Sequence, residues 1–247
     1  MAGHSKWKNI QHRKGKQDAI RGKLFTRLSR EIIMAAKAGG GDPAGNARLR
    51  VVLDRAKVQG LPQENIKRAI QRGTGEIEGA DYEEITYEGY GPGGSAVIVE
   101  CYSENRNRTV ADLRHAFTKN GGSLGENGSV AWQFKFVGQI EIALEGKDED
   151  EVTMAALEAG AEDVSLDGDT LVLETKPDSL HSTNEALGLA GLVSQDASLT
   201  WVPTNMAEPS EDDMRRLVRL LDALEELDDV KETYNNVEIP ESIYAEF

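Results

Sequence analysis

The chain has 247 residues, 39% of them hydrophobic and 29% charged, which suits two or three compact domains with their own cores and excludes a disordered chain. It has no run of about 18 apolar residues and opens on a polar, basic stretch, Met1 to Lys8, so neither a membrane span nor a secretory signal is expected and the cytoplasm is its expected place. One cysteine, Cys101, excludes a disulfide or cysteine zinc cluster within the chain, and the formal charge of -15, taken alone, argues against a polyanionic partner.

The charge is unevenly spread. Met1 to Arg72 holds 17 Lys and Arg against five carboxylates, a balance of +12, whereas from Gly73 onward 11 bases face 38 acids, a balance of -27. A basic module that meets a polyanion, joined to an acidic body that limits indiscriminate contact, explains this split better than a solvated basic face. Within the module, Gly3-His4-Ser5-Lys6-Trp7 and Ile10-Gln11-His12-Arg13-Lys14 interleave an aromatic ring and imidazoles with cations. Lys6, Lys8, Arg13, Lys14 and Lys16 have no nearby acid before Asp18, and phosphates are their expected partners. Trp7 either stacks on an exposed base or anchors the arm to the protein.

Apolar residues at Ile20, Leu24, Leu28 and Ile32, with Phe25, Ile33 and Ala36, predict a helix from Lys16 to Ala38 that stops at Gly39-Gly40-Gly41. Asn46 can cap a second helix carrying Leu49, Val52, Leu53 and Ala56 and ended by Gly60. Pro62 suits the first position of a third helix, with Ile66, Ala69 and Ile70 inward and Lys67, Arg68 and Arg72 outward, as far as Gly73. The tight Gly-Leu-Pro turn gives a helix-turn-helix pattern, in which Gln63, Lys67, Arg68, Gln71 and Arg72 are the residues that could read bases.

Beyond Gly73 the period shortens. Strands are expected over Ile85 to Tyr90, Ala96 to Tyr102 and Val130 to Phe136, with a helix over Thr109 to Asn120. Then follow a strand (Gln139 to Leu144), a helix (Glu149 to Ala159), two strands (Asp163 to Leu166, Thr170 to Thr175), a helix (Ser179 to Leu189) and a strand (Ala197 to Val202), a βαββαβ ferredoxin-like order. A last helix (Glu211 to Leu227) and strand (Val230 to Val237) are expected to return to the preceding domain. The expected fold is therefore α+β: a basic helical domain over residues 1–79, a discontinuous α/β domain over 80–137 and 206–247, and an inserted ferredoxin-like domain over 138–205.

Catalytic signals are weak. Gly89-Tyr90-Gly91-Pro92-Gly93-Gly94 spells a dinucleotide fingerprint, but a strand follows where a helix is required, so a hairpin turn is expected. The second glycine-rich segment, Gly121 to Gly128, lacks the Lys-Ser/Thr ending of a phosphate-binding loop. Cys101 falls on the Val97/Val99 side of a strand, a buried position, and His4, His12, His115 and His181 have no metal-ligand spacing. Arg106 and Arg108, at the start of a helix, form an anion or RNA-phosphate site, or else pair with local acids while Asn107 or Thr109 caps the helix. No enzyme activity, metal or cofactor is expected.

Several segments, in this order and spacing, carry a close resemblance: Gly3 to Trp7, Gln17-Asp18 with Arg21-Gly22-Lys23, Gly39 to Pro43, Asn65-Ile66 with Arg68-Ala69-Ile70, Tyr87 to Gly94, Asn105 to Thr109, and Gly121 to Gly125. The chain resembles the YebC/PmpR family of bacterial transcriptional regulators. The resemblance implies a helical N-terminal domain and two α/β domains around a negatively charged cleft. It implies a DNA-binding transcriptional regulator or, as the alternative, a ribosome-associated translation factor that relieves stalling and contacts ribosomal RNA; a protein partner at the acidic cleft is a third class. The family motif begins at Gly3 with no presequence before it, which points to the bacterial members rather than the mitochondrial translational activator. Arg21 and Lys23 join the arm cations, His12, Trp7, Lys67, Arg68, Gln71, Arg72, Arg106 and Arg108 as candidate nucleic-acid-binding residues.

Overall fold

A computed structural model describes residues 17–79 and 81–247, with backbone only for residues 17–21. Helix α1 spans Gln17–Gly39, α2 Ala47–Val58 and α3 Gln63–Gly73. Leu28, Ile32, Ile33 and Ala36 of α1 bury against Leu49, Val52, Leu53 and Ala56 of α2 and against Ile66 and Ala69 of α3, the apolar stripes expected from the spacing. Asn46 ties the first two helices together: its Oδ1 accepts from Leu49 N at 3.0 Å, while its Nδ2 donates to the carbonyls of Ala35 and Gly40, each at 2.8 Å. One side chain thus caps the start of α2 and satisfies the carbonyl end of α1. Gly73 is where α3 crosses α1 most closely, since a Cβ there would lie 2.5 Å from the Ile33 carbonyl oxygen. Pro62 lies one residue outside α3, at its N-cap in an extended conformation, rather than at the first helical position. The missing N–H is harmless at either place.

The first sheet pairs β1 (Glu83–Tyr90) with β2 (Ala96–Ser103) through a turn at Pro92–Gly94, so the fingerprint-like glycines form a hairpin connection. Helix α4 (Arg106–Lys119) follows, then the two-residue strand β3 (Ser123–Leu124), which pairs with the end of β1. This strand was not expected from its glycine-rich sequence. Gly89 makes room for it, because a Cβ on Gly89 would meet the Phe117 ring at 2.5 Å and the Ser123 carbonyl at 2.9 Å.

The expected strand from Val130 to Phe136 is corrected: Ala131–Gln133 form a 3-10 turn, and a single strand β4 runs Phe134–Ala143. The cause is the buried carboxylate of Glu88, which accepts from the backbone N–H groups of Gly128 at 2.6 Å and of Val130 and Ala131 at 2.7 Å. Two of these amides belong to the expected strand, and both are taken from any ladder.

The second sheet contains β4, β5 (Asp163–Asp167), β6 (Thr170–Thr175) and β7 (Asp196–Pro203) in the order β5-β6-β4-β7, all antiparallel. With α5 (Glu149–Ala159) and α6 (Leu180–Leu189) between strands, this is the ferredoxin-like βαββαβ unit. The chain then returns: α7 (Glu211–Glu225) packs on the first sheet, β8 (Val230–Asn235) pairs with β2, and α8 (Glu241–Tyr244) closes the core. The first sheet reads β3-β1-β2-β8.

One face of that sheet, with Val97, Val99 and Cys101, is covered by α4 and α7. The other meets the helical module through Tyr82 and Tyr102 and the second sheet through Ala96, Ile98 and Tyr234, which pack on Phe134 and Trp201. Because side chains alternate along β2, Glu100 lies on that same face between Ile98 and Tyr102.

Candidate nucleic-acid interface

Apart from Arg50, which donates to the carbonyls of Pro43 and Ala44, the described cations of the helical module fall into three groups. Lys23, Arg27 and Arg30 share one face of α1 by their spacing and close over the carbonyl end of α7. Lys23 donates to the Glu226 carbonyl at 2.8 Å, Arg27 to that of Glu225 and Arg30 to that of Asp228. Unpaired carbonyls and the negative end of the dipole attract cations there. Lys23, expected on nucleic acid, is held by the protein, and so are both arginines in the first turn of α4. Arg106 donates to Glu83 at 2.6 Å, whereas Arg108 makes two bonds of 3.1 Å to Asp229 and one of 3.2 Å to Glu104. The cap of α4 is Asn105, which accepts from Arg108 N, and neither Asn107 nor Thr109; Thr109 instead donates to Asp229 at 2.7 Å.

The second group pairs with neighbouring acids: Arg48 with Glu84, Arg55 with Glu31, Lys57 with Asp54 and Lys37 with Asp81. Lys67, Arg68 and Arg72 make up the third. They stand exposed on α3 and have no carboxylate partner among the described residues; Gln71 lies half-buried beside them. Since α2 and α3 both pack chiefly on α1, an open groove of about 390 Å³ remains between them, floored by Leu53, Ile66 and Ile70. Lys6, Trp7, Lys8, His12, Arg13, Lys14 and Lys16 lie outside the described residues, as does the side chain of Arg21.

The face of the first sheet that meets the helical module is acidic but largely compensated. Lys231 donates to Glu84 at 3.2 Å and to Glu100 at 2.8 Å, Arg48 lies 3.0 Å from Glu84, and Trp201 donates to Glu100 at 3.1 Å. This network joins the helical module to both sheets. Burial opposes the charge on Lys231, but Tyr102, Glu100 and Glu84 outweigh it and raise its pKa, while burial pushes the Tyr102 phenol up to about 12.

Burial also opposes ionisation of Glu84, but Lys231 and Arg48 outweigh it and hold the carboxyl below its ordinary range. A depressed carboxyl stabilises the fold above its unfolded pKa, about 4.3, and that contribution is lost as pH falls through the folded value. Urea unfolding followed from about pH 7 to about pH 3 is expected to show an acid loss of stability that Glu84→Gln makes shallower. An acid limb of unchanged steepness in the variant would remove Glu84 from the account.

Cys101 is buried, and burial pushes its thiol up to about 12, which leaves no thiolate for nucleophilic chemistry. Among the described residues no cluster of His, Cys, Asp or Glu could hold a metal ion, and no helix is long and apolar enough to cross a membrane.

Comparison with known proteins follows this architecture. A family profile described as the TACO1/YebC protein N-terminal domain matches residues 5–76, and one described as the TACO1/YebC second and third domain matches residues 82–237. The chain belongs to the TACO1/YebC family. Its TACO1/YebC relatives include a probable transcriptional regulatory protein of Thiobacillus denitrificans, 54% identical over 98% of this chain and 100% of that one. Another of the same name, from Acidithiobacillus ferrooxidans, is 52% identical over 99% of this chain and 98% of its own length. A crystal structure of a conserved hypothetical protein from Aquifex aeolicus matches with a TM-score of 0.82 and 45% identity, covering 94% of this chain and 96% of the other. In this TACO1/YebC chain the glycines of Tyr87 to Gly94 serve the β1–β2 hairpin and the close packing of Phe117, and Gly121 to Gly125 lead through β3.

Sequence reasoning missed the clamp of Lys23, Arg27 and Arg30. Its signal was present: cations four and three residues apart on one helix, and an acidic segment, Glu225 to Asp229, at the end of another.

Proposed function

We propose that the chain regulates gene expression by binding nucleic acid through the exposed face of α3, with DNA as the target in transcriptional control. The observation that carries this reading is the set Lys67, Arg68 and Arg72: three exposed cations without carboxylate partners, in a module whose other described arginines and lysines are engaged by protein oxygens. That face is exposed, as a groove-reading helix requires. The name shared by the relatives, probable transcriptional regulatory protein, supports the same reading. It acts as a binder, without catalysis or cofactor. A second reading, a ribosome-associated translation factor, is favoured by the open groove beside α3, whose aliphatic floor offers a contact to the unstacked bases of irregular RNA.

Replacing Lys67, Arg68 and Arg72 together with alanine is expected to flatten the dependence of log K on log salt by about 0.9 for each duplex phosphate no longer neutralised, or about 0.7 on a single strand. All three side chains are exposed, so the melting temperature should stay nearly constant. Titrations of promoter duplex, random duplex and purified ribosomes across a salt series measure the slope on each target. Equal slopes for parent and variant on all three would assign the binding elsewhere. Weaker binding to ribosomes, with no preference among duplexes, would favour the second reading.

A further inference from the structure

The cations of α3 account for contact with a phosphate backbone, but they leave the adjoining groove unexplained. Its floor is aliphatic: Leu53 from α2 with Ile66 and Ile70 from α3. Lys67 and the carboxamides of Gln63 and Gln71 stand on one rim, Lys57, shared with Asp54 at 3.1 Å, on the other, and the Glu76 carboxylate, which accepts from the Thr74 hydroxyl at 3.1 Å, also lines the groove. A volume of about 390 Å³ falls in the range of small-ligand sites.

An aliphatic floor with carboxamide groups at its edge suits a flat ring that has apolar faces and a hydrogen-bonding rim. Lys67 on the α3 rim, with Arg68 and Arg72 exposed outside the groove on the same helix, suits a ring tethered to anions on that side. Arg68 and Arg72 stand one helical turn apart, about 6 Å along the axis, which matches the step between successive phosphates of an extended strand better than the irregular charges of an acidic peptide. We propose that the groove between α2 and α3 takes one unpaired base of a single strand, with the flanking phosphates on Lys67, Arg68 and Arg72. The inference rests on the nucleic-acid reading of the same helix but replaces its groove-reading form with capture of a single strand. A duplex can occupy the groove only by extruding a base, at the cost of unstacking it.

The test uses the full chain at one salt concentration, with fluorescence anisotropy of labelled single-stranded RNA, single-stranded DNA of the same sequence, the two matched duplexes, and strands carrying an abasic position moved stepwise. Both single strands are expected to bind more tightly than their duplexes, and an abasic site at the captured position to weaken binding about tenfold. The ratio of RNA to DNA affinity identifies which strand supplies the base, and either ratio is compatible with capture. Gln63 and Gln71 line the groove from the surface side of α3 and carry no charge, so Gln63→Ala/Gln71→Ala should keep the parent melting curve and the parent slope of log K against log salt while losing the abasic sensitivity. Equal affinity for duplex and single strand, with no abasic effect, overturns base capture and leaves nucleic-acid binding intact. Binding to none of the oligonucleotides overturns both. Equal affinity for poly-glutamate would overturn base capture by reducing the site to a general anion surface.

Discussion

Asp229→Ala is expected to cost the fold about 3–5 kcal/mol, the loss typical of removing one partner from a buried ion pair. Asp229 is 7% exposed and receives Arg30 at 3.2 Å, Arg108 at 3.1 Å and the Thr109 hydroxyl at 2.7 Å. Arg108 is half-exposed and water can replace its partner, so its share is small. Arg30 is only 11% exposed and lies 5.1 Å over the Tyr82 ring, so the variant strands a buried guanidinium. Because Arg30 belongs to α1 and Asp229 to the turn between α7 and β8, the helical module should unfold before the sheets in the variant. Urea unfolding followed by far-ultraviolet circular dichroism and by tryptophan fluorescence should then give two separated curves. Coincident curves at the parent midpoint would contradict this role. Asp229→Asn, which keeps an acceptor for Thr109 but loses the charge, should fall between.

Phe117→Ala is expected to lose a similar 3–5 kcal/mol, from transfer of the ring to water and the cavity it leaves. Phe117 is fully buried among Leu113, Val97, Val99 and Leu217 and lies against the bare backbone of Gly89 and Gly122. The complementary change, Gly89→Ala, drives a methyl to about 2.5 Å from that ring and should cost about 1–3 kcal/mol by overpacking. The two positions should couple: in a Phe117→Leu background Gly89→Ala costs less than in the parent, which thermal melts of the four proteins can measure. Additive costs would mean that the ring is not what demands glycine at that position.

The elements that were legible in sequence are those whose pattern is local. The stripe of Leu28 and Ile32, the caps and glycine stops of α1 and α2, and the alternation of Thr170 to Thr175 each give their element within a residue or two, because a helix or strand face repeats every few positions. The misreadings have distant causes. Val130 to Phe136 looks like a strand until Glu88, 42 residues away, takes the amide of Val130. Ser123-Leu124 looks like loop until the far end of β1 supplies its partner. At the candidate interface the outward cations of α3 were legible from helical period alone and the pairing of Arg108 with a local acid, Glu104, was one of the alternatives, whereas the engagement of Lys23 and the Asp229 partner of Arg108 were not legible, since these oxygens lie 203 and 121 residues away. The groove between α2 and α3 has no sequence signature, because it results from how both helices pack on α1.

The return of β8 to β2 constrains how the chain is made. Synthesis runs from the amino end, and the strands of the second sheet occupy a continuous stretch, Phe134 to Pro203, so that unit can form while the remainder is still being polymerised. The first sheet cannot be completed: β1, β2 and β3 can pair with one another, but the outer edge of β2 waits for β8, which emerges well over a hundred residues later, and Asp229 and the α7 carbonyls that hold α1 arrive with it. During that interval the apolar strand Ala96–Ser103 has an open edge, and the nascent chain is at its most vulnerable to aggregation and proteolysis.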